Sequence, residues 1–253
     1  MDTHGDKILD QFTKQASLFQ ATHRSAADAI EQALTVAGVT ADDVVLDVAC
    51  GPGVLTCAFA KRAKHATGVD ITPTMLAQAQ QLQAASQLDN IRWQLCDVTQ
   101  LPFTDGSFSL VITRYAFHHL EHPEDVLKEL VRVCAPGGKV VVIDSAPPPE
   151  KAAAFNEVER LRDPSHTKAL TAEELSGLIA ALGLAIERRH LYAWEVTADS
   201  LLARSFPEDG DRARVKGLYA ADVGVDELAM NARYLGDVLH VTFPTLITVI
   251  RKR

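Results

Sequence analysis

Three of the aspartates, Asp47, Asp70 and Asp97, stand in or directly after short apolar runs near the start of the chain. The runs read VVLDV, HATGVD and IRWQLC, and their length and β-branched content are typical of buried strands. Because the carboxyl ends of parallel strands meet at one edge of a sheet, the three carboxylates should face one ligand. At such positions Asp70 can accept from two ribose hydroxyls and Asp97 from an adenine amino group. This pattern predicts a nucleoside site.

A glycine turn follows the first of these runs, in the order Ala49, Cys50, Gly51, Pro52, Gly53. Glycine permits backbone angles closed to other residues, and the helix that starts after it would direct free N–H groups at a ligand. The turn alone is equally consistent with a simple connection. Thr56 stands where the third glycine of a dinucleotide fingerprint would be, which disfavours a plain nicotinamide dehydrogenase.

The elements that must position these residues alternate between strand and helix, which predicts a doubly wound α/β domain with parallel strands and right-handed crossovers. The predicted helices begin with 7–38, kinked near 22–24, and the one that opens at Pro73 after an N-cap at Thr72. The other predicted helices cover 54–64, run from Pro123 to before 135, follow the prolines at 147–149 up to about Arg162, run from the Thr171 capping box to Gly183, and cover 197–235. The other predicted strands cover 108–114, 139–144, 184–192 and 240–250. Pro244 in the last strand predicts a bulge or an unpaired N–H.

Composition limits the classes of function. The 253 residues fit one α/β domain with an elaborated cap, and 33 acidic against 25 basic residues give a net charge of −8. This charge disfavours nucleic acid or an anionic membrane as partner. The cysteines at 50, 57, 96 and 134 form no C-x-x-C pair, so we expect no metal site, no disulfide and a cytoplasmic location. The start MDTHGDKILD has no signal-peptide layout, and no membrane insertion is expected.

Four segments carry a family resemblance: VLDVACGPGVLT, GVDIT with Met75 after it, CDVTQLPFTDGSFSLVITRYAFHHL, and LKELVRVCAPGGKVVVID. From about Asp42 to Asp144 the chain resembles the class I S-adenosylmethionine-dependent methyltransferases, within them the ubiquinone/menaquinone-biosynthesis group. The resemblance implies a Rossmann-like, seven-stranded, mostly parallel sheet with an antiparallel last strand and a helical cap, and S-adenosylmethionine as cofactor. The cofactor-binding residues it implies are Asp47, Ala49, Cys50, Gly51, Gly53, Asp70, Ile71, Met75, Asp97, Val98 and Arg114.

The resemblance also divides the single domain, residues 1–253. Residues 1–40 would form a helical lid over the cofactor, although Phe12 and Phe19 could instead simply pack on the helices. Segments 146–170 and 195–238 would form a cap that decides substrate specificity. Its aromatic side chains, Phe155, Trp194, Phe206, Tyr219 and Tyr234, favour a small aromatic or quinone-like acceptor, and a homodimer is a further expectation.

The implied reaction is methyl transfer to oxygen or activated carbon of a small molecule, which needs mainly alignment and exclusion of water. For a hydroxyl acceptor a histidine base would help, and the candidates are His119, His118 and His166. Each could equally bind only backbone or water. The amine-methylating branch of the family has an Asn/Asp-Pro-Pro-aromatic run where this chain has Arg114-Tyr115-Ala116-Phe117, which disfavours base or amide acceptors. The alternatives are a cofactor-binding module without chemistry, or an enzyme that uses S-adenosylmethionine without net methylation.

Overall fold

The computed structural model describes residues 3–19, 27–208 and 210–253. Eight strands form one sheet, with β1 to β6 and β8 in the order β3-β2-β1-β4-β5-β8-β6 and β7 paired to β8. The strands are β1 Val44–Val48, β2 His65–Asp70, β3 Ile91–Leu95, β4 Phe108–Arg114, β5 Cys134–Ser145, β6 Ala185–Thr197, β7 Arg233–Leu235 and β8 Val238–Arg251. The helices are α1 His4–Phe19, α2 Ala27–Ala37, α3 Val54–Ala60, α4 Pro73–Ala85, α5 Pro123–Val133, α6 Ala152–Arg162, α7 Ala172–Ala181, α8 Ala198–Ala203 and α9 Asp211–Ala221.

The sheet is doubly wound. The chain runs outward through β1, β2 and β3 and then returns to place β4 on the other side of β1, so the order reverses between β1 and β4. All the pairings from β3 to β5 are parallel, and β8 is antiparallel to both β5 and β6. The crevice at such a reversal is where open α/β sheets bind ligands. The predicted mostly parallel sheet with an antiparallel last strand is confirmed, and the short β7 raises the strand count from seven to eight.

Helices cover both faces of the sheet. Ala33 of α2 and Phe59 of α3 are fully buried against β1 and β4 on one face, while Leu127 and Leu130 of α5 are fully buried on the other. The cap has its own core, built from α6, α8, α9 and the adjoining ends of β6 and β8, in which Tyr219 is fully buried. These elements therefore pack around a hydrophobic cluster separate from the two that flank the sheet.

Several predicted boundaries differ from the structure. α3 ends at Ala60 rather than residue 64, and β5 begins at Cys134 because this residue pairs with Phe108 of β4. Gly137 and Gly138 lie within β5 and exchange backbone hydrogen bonds with Lys252. The helical prediction for 197–235 is wrong at 205–208, between α8 and α9, and again after Ala221, where an irregular segment and β7 follow. The pairing of β6 with β8 runs through Pro244 without a break, and the register shift lies instead between Ile186 and Arg188. The kink near 22–24 and the side chain of Phe19 lie outside the described residues.

Within the described part of the chain, no helix combines the length and the apolar character needed to cross a bilayer.

Candidate active site

A cavity of about 400 Å³ opens at the carboxyl ends of β1 to β4 and is covered by α1. Its wall contains every residue predicted to bind the cofactor except Gly53. His119 also lines the cavity, whereas His118 and His166 lie behind its wall. Predictions made from separate strand ends thus converge on one space.

Asp70, at the end of β2, fastens the glycine turn to the start of α4. Its Oδ2 accepts from the Gly51 N–H and its Oδ1 from the Thr72 N–H, both at 2.8 Å. Burial raises the pKa of this carboxyl even though the Thr72 and Gly51 N–H groups stabilise the charged form. Both oxygens keep a further lone pair, so Asp70 can shape the turn and accept from ribose hydroxyls at once.

The two glycines of the turn serve different purposes. Gly51 has φ of 53° and lines the cavity, and no atom of the described residues lies within 4 Å of a Cβ built on it. Gly53 has φ of 77°, and a Cβ there would lie 2.5 Å from the Trp93 ring and 2.7 Å from the Ala79 Cβ. Gly51 thus leaves room for a ligand, while Gly53 makes room for Trp93 beneath the turn.

Asp47, at the floor of the cavity, is prepared for a cationic ligand. Its Oδ2 accepts from the Thr56 hydroxyl at 2.6 Å, and its buried Oδ1 has no hydrogen-bond partner among the described residues. Burial raises the pKa of the Asp47 carboxyl to about 7. Thr56, which replaces the third glycine of the dinucleotide fingerprint, is therefore used to hold this acid.

Two further polar atoms in the cavity wall are buried without a partner in the described part of the chain: the Thr72 Oγ1 and the Arg114 Nε. Together with the free Asp47 Oδ1, they offer a hydroxyl, a cation and a carboxylate to one ligand. An α-amino acid end, with its ammonium and carboxylate, fits this set. The site therefore fits S-adenosylmethionine, whose methionine end carries both charges.

The opposite wall suits an adenosine. Ile71, Met75 and Val98 give it apolar side chains, and Asp97 follows β3. The Asp97 Oδ1 accepts from the N–H and hydroxyl of Thr99, each at 2.8 Å, which fixes the carboxylate orientation. The other oxygen remains available to an amino group, as the sequence predicts.

His119 presents a neutral imidazole to the cavity. Its Nδ1 lies 3.1 Å from both the carbonyl oxygen and the Oγ of Ser165, and the Ser165 hydroxyl donates to Asp163 Oδ1 at 2.6 Å. Burial and the neighbouring His118 lower the pKa of His119 to about 4. The Phe12 ring of α1 packs edge-on at 5.0 Å, and the His119 carbonyl accepts from His4 Nε2 at 2.6 Å.

His118 contacts Asp144 instead of the cavity. Its Nδ1 lies 2.6 Å from Asp144 Oδ1, and both side chains are buried. Although burial opposes the charge, Asp144 raises the pKa of His118, which favours an imidazolium. The ring is ion-paired and lies behind the cavity wall, which disfavours the prediction that His118 acts as a catalytic base.

The surroundings of His166 likewise disfavour its predicted catalytic role, because the side chain does not line the cavity. Its Nε2 contacts Asn156 Oδ1 at 2.7 Å, and its ring stacks on His118 with centroids 5.3 Å apart. Burial and the positive charge of His118 strongly lower the pKa of His166, so the His166 imidazole stays neutral. The next residue, Thr167, donates its N–H to the His118 carbonyl at 2.8 Å, so this segment is fixed to the sheet.

Sequence reasoning assigned no role to two of the polar cavity residues, Tyr115 and Arg204, and placed Trp194 only among the cap aromatics. Tyr115 directly follows β4 with φ of 53°, a left-handed angle that is uncommon outside glycine, and its hydroxyl lies 2.9 Å from Thr245 Oγ1. The end of β4 was the signal available for Tyr115. Of the five cap aromatics, only Trp194 reaches the cavity, since Phe155 and Tyr219 fill the cap core and Tyr234 is half exposed.

Among residues 3–19, 27–208 and 210–253, no three His, Cys, Asp or Glu side chains gather in an arrangement that could hold a metal ion. The four cysteines are free thiols. Cys50 lies in the cavity wall, where burial and the carboxylates of Asp47 and Asp70 raise the pKa of its thiol. It therefore lines the site as a small neutral side chain.

Known proteins share this fold and its motifs. A family model described as a methyltransferase domain matches residues 46–142. The chain is 28% identical over 200 residues to the uncharacterized methyltransferase YcgJ of Bacillus subtilis, covering 78% of this chain and 79% of that one. The crystal structure of YcgJ superposes with a TM-score of 0.81 at 23% identity, covering 89% of this chain and 98% of that chain.

Two other comparisons bear on substrate and cofactor. The demethylmenaquinone methyltransferase of Thermus thermophilus is 40% identical over 119 residues, 46% of this chain and 53% of that protein, so the match spans about half of its length. A geranyl diphosphate C-methyltransferase from Streptomyces coelicolor, solved with S-adenosyl-L-homocysteine, superposes with a TM-score of 0.64 at 15% identity, covering 91% of this chain and 80% of that chain. S-adenosylmethionine is the cofactor of this group of methyltransferases. The chain therefore contains a methyltransferase domain over residues 46–142 and has the fold of S-adenosylmethionine-dependent methyltransferases.

Proposed function

We propose that the chain transfers a methyl group from S-adenosylmethionine to oxygen or activated carbon of a small-molecule acceptor. The observation that supports this most is one continuous cavity that joins the strand-end carboxylates to Tyr115, Trp194, Arg204 and His119. Such a space holds two reactants end to end. Alignment of an acceptor with an activated methyl group is the main requirement of the reaction.

The residues assigned to the cofactor are those at the β1, β2, β3 and β4 ends. Asp47 and Arg114 would hold the charged amino acid end, Asp70 the ribose and Asp97 the adenine amino group. When bound, the cofactor supplies a methyl group on a positively charged sulfur. The protein then has to orient the acceptor, exclude water and receive a proton if the acceptor is a hydroxyl.

We propose that His119 is the base that receives this proton. The Ser165 carbonyl can only accept, so the hydrogen of the neutral ring lies on Nδ1 and the Nε2 lone pair is left for the cavity side. Burial raises the pKa of Asp163, but His119, Arg162 and Ser165 together lower it to about 2. Asp163 therefore stays ionised and orients the Ser165 hydroxyl. The arrangement keeps one tautomer of His119 ready as a base.

We also propose that residues 1–40 act as a lid and that 146–170 and 195–238 form a cap that selects the acceptor. The support is the way α1 is attached: its Gln11 donates to the Phe206 carbonyl at 3.1 Å, and Phe12 packs on His119. Phe12 therefore contacts the candidate base rather than only the helices of the sheet. A chain that begins at residue 27 should lose acceptor turnover more than cofactor affinity, measured by product release and calorimetry.

An aromatic or quinone-like acceptor is supported by the rings of Phe12, Tyr115 and Trp194 in the cavity wall and by the names of the quinone-biosynthesis relatives. The free thiols support the proposal of a reducing, cytoplasmic location. Homodimer formation and the exclusion of nucleic acid stay predictions.

The experiment combines binding and turnover. Calorimetry with S-adenosylmethionine and with NAD should give binding of the first alone. Release of S-adenosylhomocysteine is then followed over phenols, quinols and stabilised carbon acids. Cofactor binding without release over the whole panel would favour the binding-module alternative, and an altered acceptor without S-adenosylhomocysteine release would favour use of the cofactor without net methylation.

A further inference from the structure

Arg204 is a partly buried cation at the cap side of the cavity, on the residue that ends α8. Its Nε donates to the Ser200 carbonyl at 3.1 Å, and its guanidinium carbon lies 5.7 Å from the centre of the Trp194 ring. The backbone contact leaves the two terminal nitrogens of the fork for other partners. The fork is thus oriented from within the cap and faces the cavity.

The Tyr115 and Trp194 rings lie between Arg204 and Arg114, a second arginine that lines the cavity. Arg114 lies 4.9 Å over the Tyr115 ring, and the Tyr115 and Trp194 rings lie 5.7 Å apart. The four side chains form a column in the order Arg114, Tyr115, Trp194, Arg204. Arg114 lies at the end of β4, and its charge lowers the pKa of Asp47, so we assign Arg114 to the part of the cavity that holds the cofactor. Arg204, at the other end of the column, is assigned to the part that holds the acceptor.

The charge of Arg204 lacks a compensating carboxylate in the described part of the chain. Burial and the nearby Arg162 both lower the pKa of Arg204, and neither effect is offset by an acid. Arg162 itself is paired with Glu159 at 2.6 Å, so it is not short of a partner. Withdrawing an unpaired charge even partly from water is costly, and a partly buried guanidinium in a cavity wall gains from an anion that supplies the missing partner.

The backbone that carries Arg204 is held firmly. Arg162 Nη1 donates to the Ser205 Oγ at 3.0 Å, and Arg212 donates to the carbonyl oxygens of Leu202 and, at 2.9 Å, Ser205. These contacts fix the residues on both sides of position 204. A prepositioned planar fork matches a carboxylate through two parallel hydrogen bonds.

We propose that Arg204 binds a carboxylate group of the acceptor, so that the enzyme methylates small aromatic acids in preference to neutral or cationic analogues. The inference rests on the proposed methyl transfer, which it makes more specific. An anionic acceptor is also attracted to the positive sulfur of the cofactor, whereas an amine acceptor would be repelled by both charges.

The test uses matched pairs of acceptors that differ only in charge: hydroxybenzoic and hydroxycinnamic acids against their amides. Release of S-adenosylhomocysteine is measured for wild type, Arg204→Gln, Arg204→Lys and, as a matched control, Arg214→Gln, whose side chain lies 60% exposed on α9. Wild type and the control should prefer the acids. Arg204→Gln should raise KM for the acids about 10- to 100-fold, the loss of one charge-assisted hydrogen bond, and leave the amides unchanged. Arg204→Lys should recover part of the preference.

Equal turnover of acids and amides by wild type would overturn the proposal, and so would an Arg204→Gln variant whose main defect is weaker binding of S-adenosylmethionine. A second measurement separates this failure from failure of methyl transfer. In Trp93→Phe protein saturated with S-adenosylhomocysteine, Trp194 is the remaining tryptophan and reports on its neighbour. Fluorescence that responds to the acids and not to the amides supports the Arg204 site even where no methyl transfer occurs, and an absent or equal response overturns it.

Discussion

The Nδ1 of His119 lies 3.1 Å from the main-chain carbonyl oxygen of Ser165, a group that can only accept. This single contact decides which nitrogen of the neutral ring carries the hydrogen. It also joins the turn after β4 to the segment between α6 and α7, which are 46 residues apart in the chain. The candidate base is therefore held by the cap as well as by the sheet.

Replacement of His119 by Gln should lower turnover of a hydroxyl acceptor by about 10²- to 10⁴-fold, the usual contribution of a general base. Affinity for S-adenosylmethionine should change little, because the residues assigned to the cofactor lie on β1 to β4. His118→Gln is the comparison, since its ring lies behind the cavity wall. Steady-state kinetics and calorimetry measure both quantities. Equal turnover of His119→Gln and wild type would leave alignment alone as the mechanism.

The pH dependence of turnover should follow the lowered pKa of His119. The neutral ring is the active form and the pKa is about 4, so at saturating S-adenosylmethionine the rate should fall as the pH drops toward 4 and stay level from about pH 5.5 to 8. An ordinary histidine would give this limb near pH 6 to 7, as expected from the sequence. The difference arises from burial and from the charge on His118. A rate profile of wild type that breaks near pH 6.5 would contradict the assignment.

Affinity for S-adenosylmethionine should itself depend on pH through Asp47. Burial raises the pKa of Asp47 to about 7, and only the ionised carboxylate attracts a cationic ligand, so affinity should increase between pH 5.5 and 7.5. Asp47→Asn keeps an acceptor for the Thr56 hydroxyl but removes the titration. Its affinity should be lower and nearly independent of pH over this range. Calorimetry at several pH values would reveal a parallel pH dependence in both proteins if Asp47 were not the titrating group.

The cofactor half of the cavity could be predicted from the sequence because its residues follow a local rule. Asp47, Asp70 and Asp97 each stand at a strand end that is recognisable from a few neighbouring residues, and parallel strands bring such ends together. Gly53 was predicted for the wrong reason: its partner is Trp93, which only the pairing of β2 with β3 places under the turn.

The acceptor half could not be predicted because it depends on contacts between distant segments. Tyr115 and Trp194 meet only because β8 inserts between β5 and β6, and Arg204 arrives from a helix whose packing is decided inside the cap. The helical prediction for 222–235 failed for a similar reason, since pairing with β8 outweighs local propensity at β7. The position of His166 behind the cavity wall could not be predicted, because the next residue, Thr167, donates to the His118 carbonyl across 49 residues of chain.

Asp70 offers a test that separates ligand contact from loop support. Asp70→Asn keeps one carbonyl acceptor, and it should weaken S-adenosylmethionine binding about 10- to 150-fold, equivalent to one charge-assisted hydrogen bond of about 1.5–3 kcal/mol. Asp70→Ala also releases the Gly51 and Thr72 N–H groups, so it should lower the melting temperature in addition. The exposed Asp89→Asn is the control and should match wild type. An unchanged dissociation constant for Asp70→Asn would remove Asp70 from the ribose site.

Gly51 and Gly53 should respond to alanine in opposite ways. Gly53→Ala forces a Cβ to within 2.5 Å of the Trp93 ring and should destabilise the fold by about 1–3 kcal/mol through overpacking, in addition to the strain of a positive φ. A Cβ at position 51 would lie in open space, so Gly51→Ala should lower the free energy of unfolding by only about 1 kcal/mol, from the strain of its φ of 53°. Its methyl group would, however, occupy the side from which the ligand approaches, so cofactor affinity should fall more than stability. Thermal melts with and without S-adenosylmethionine measure both effects, and a Gly51→Ala protein that is stabilised by the cofactor as much as wild type would contradict the cradle assigned to this turn.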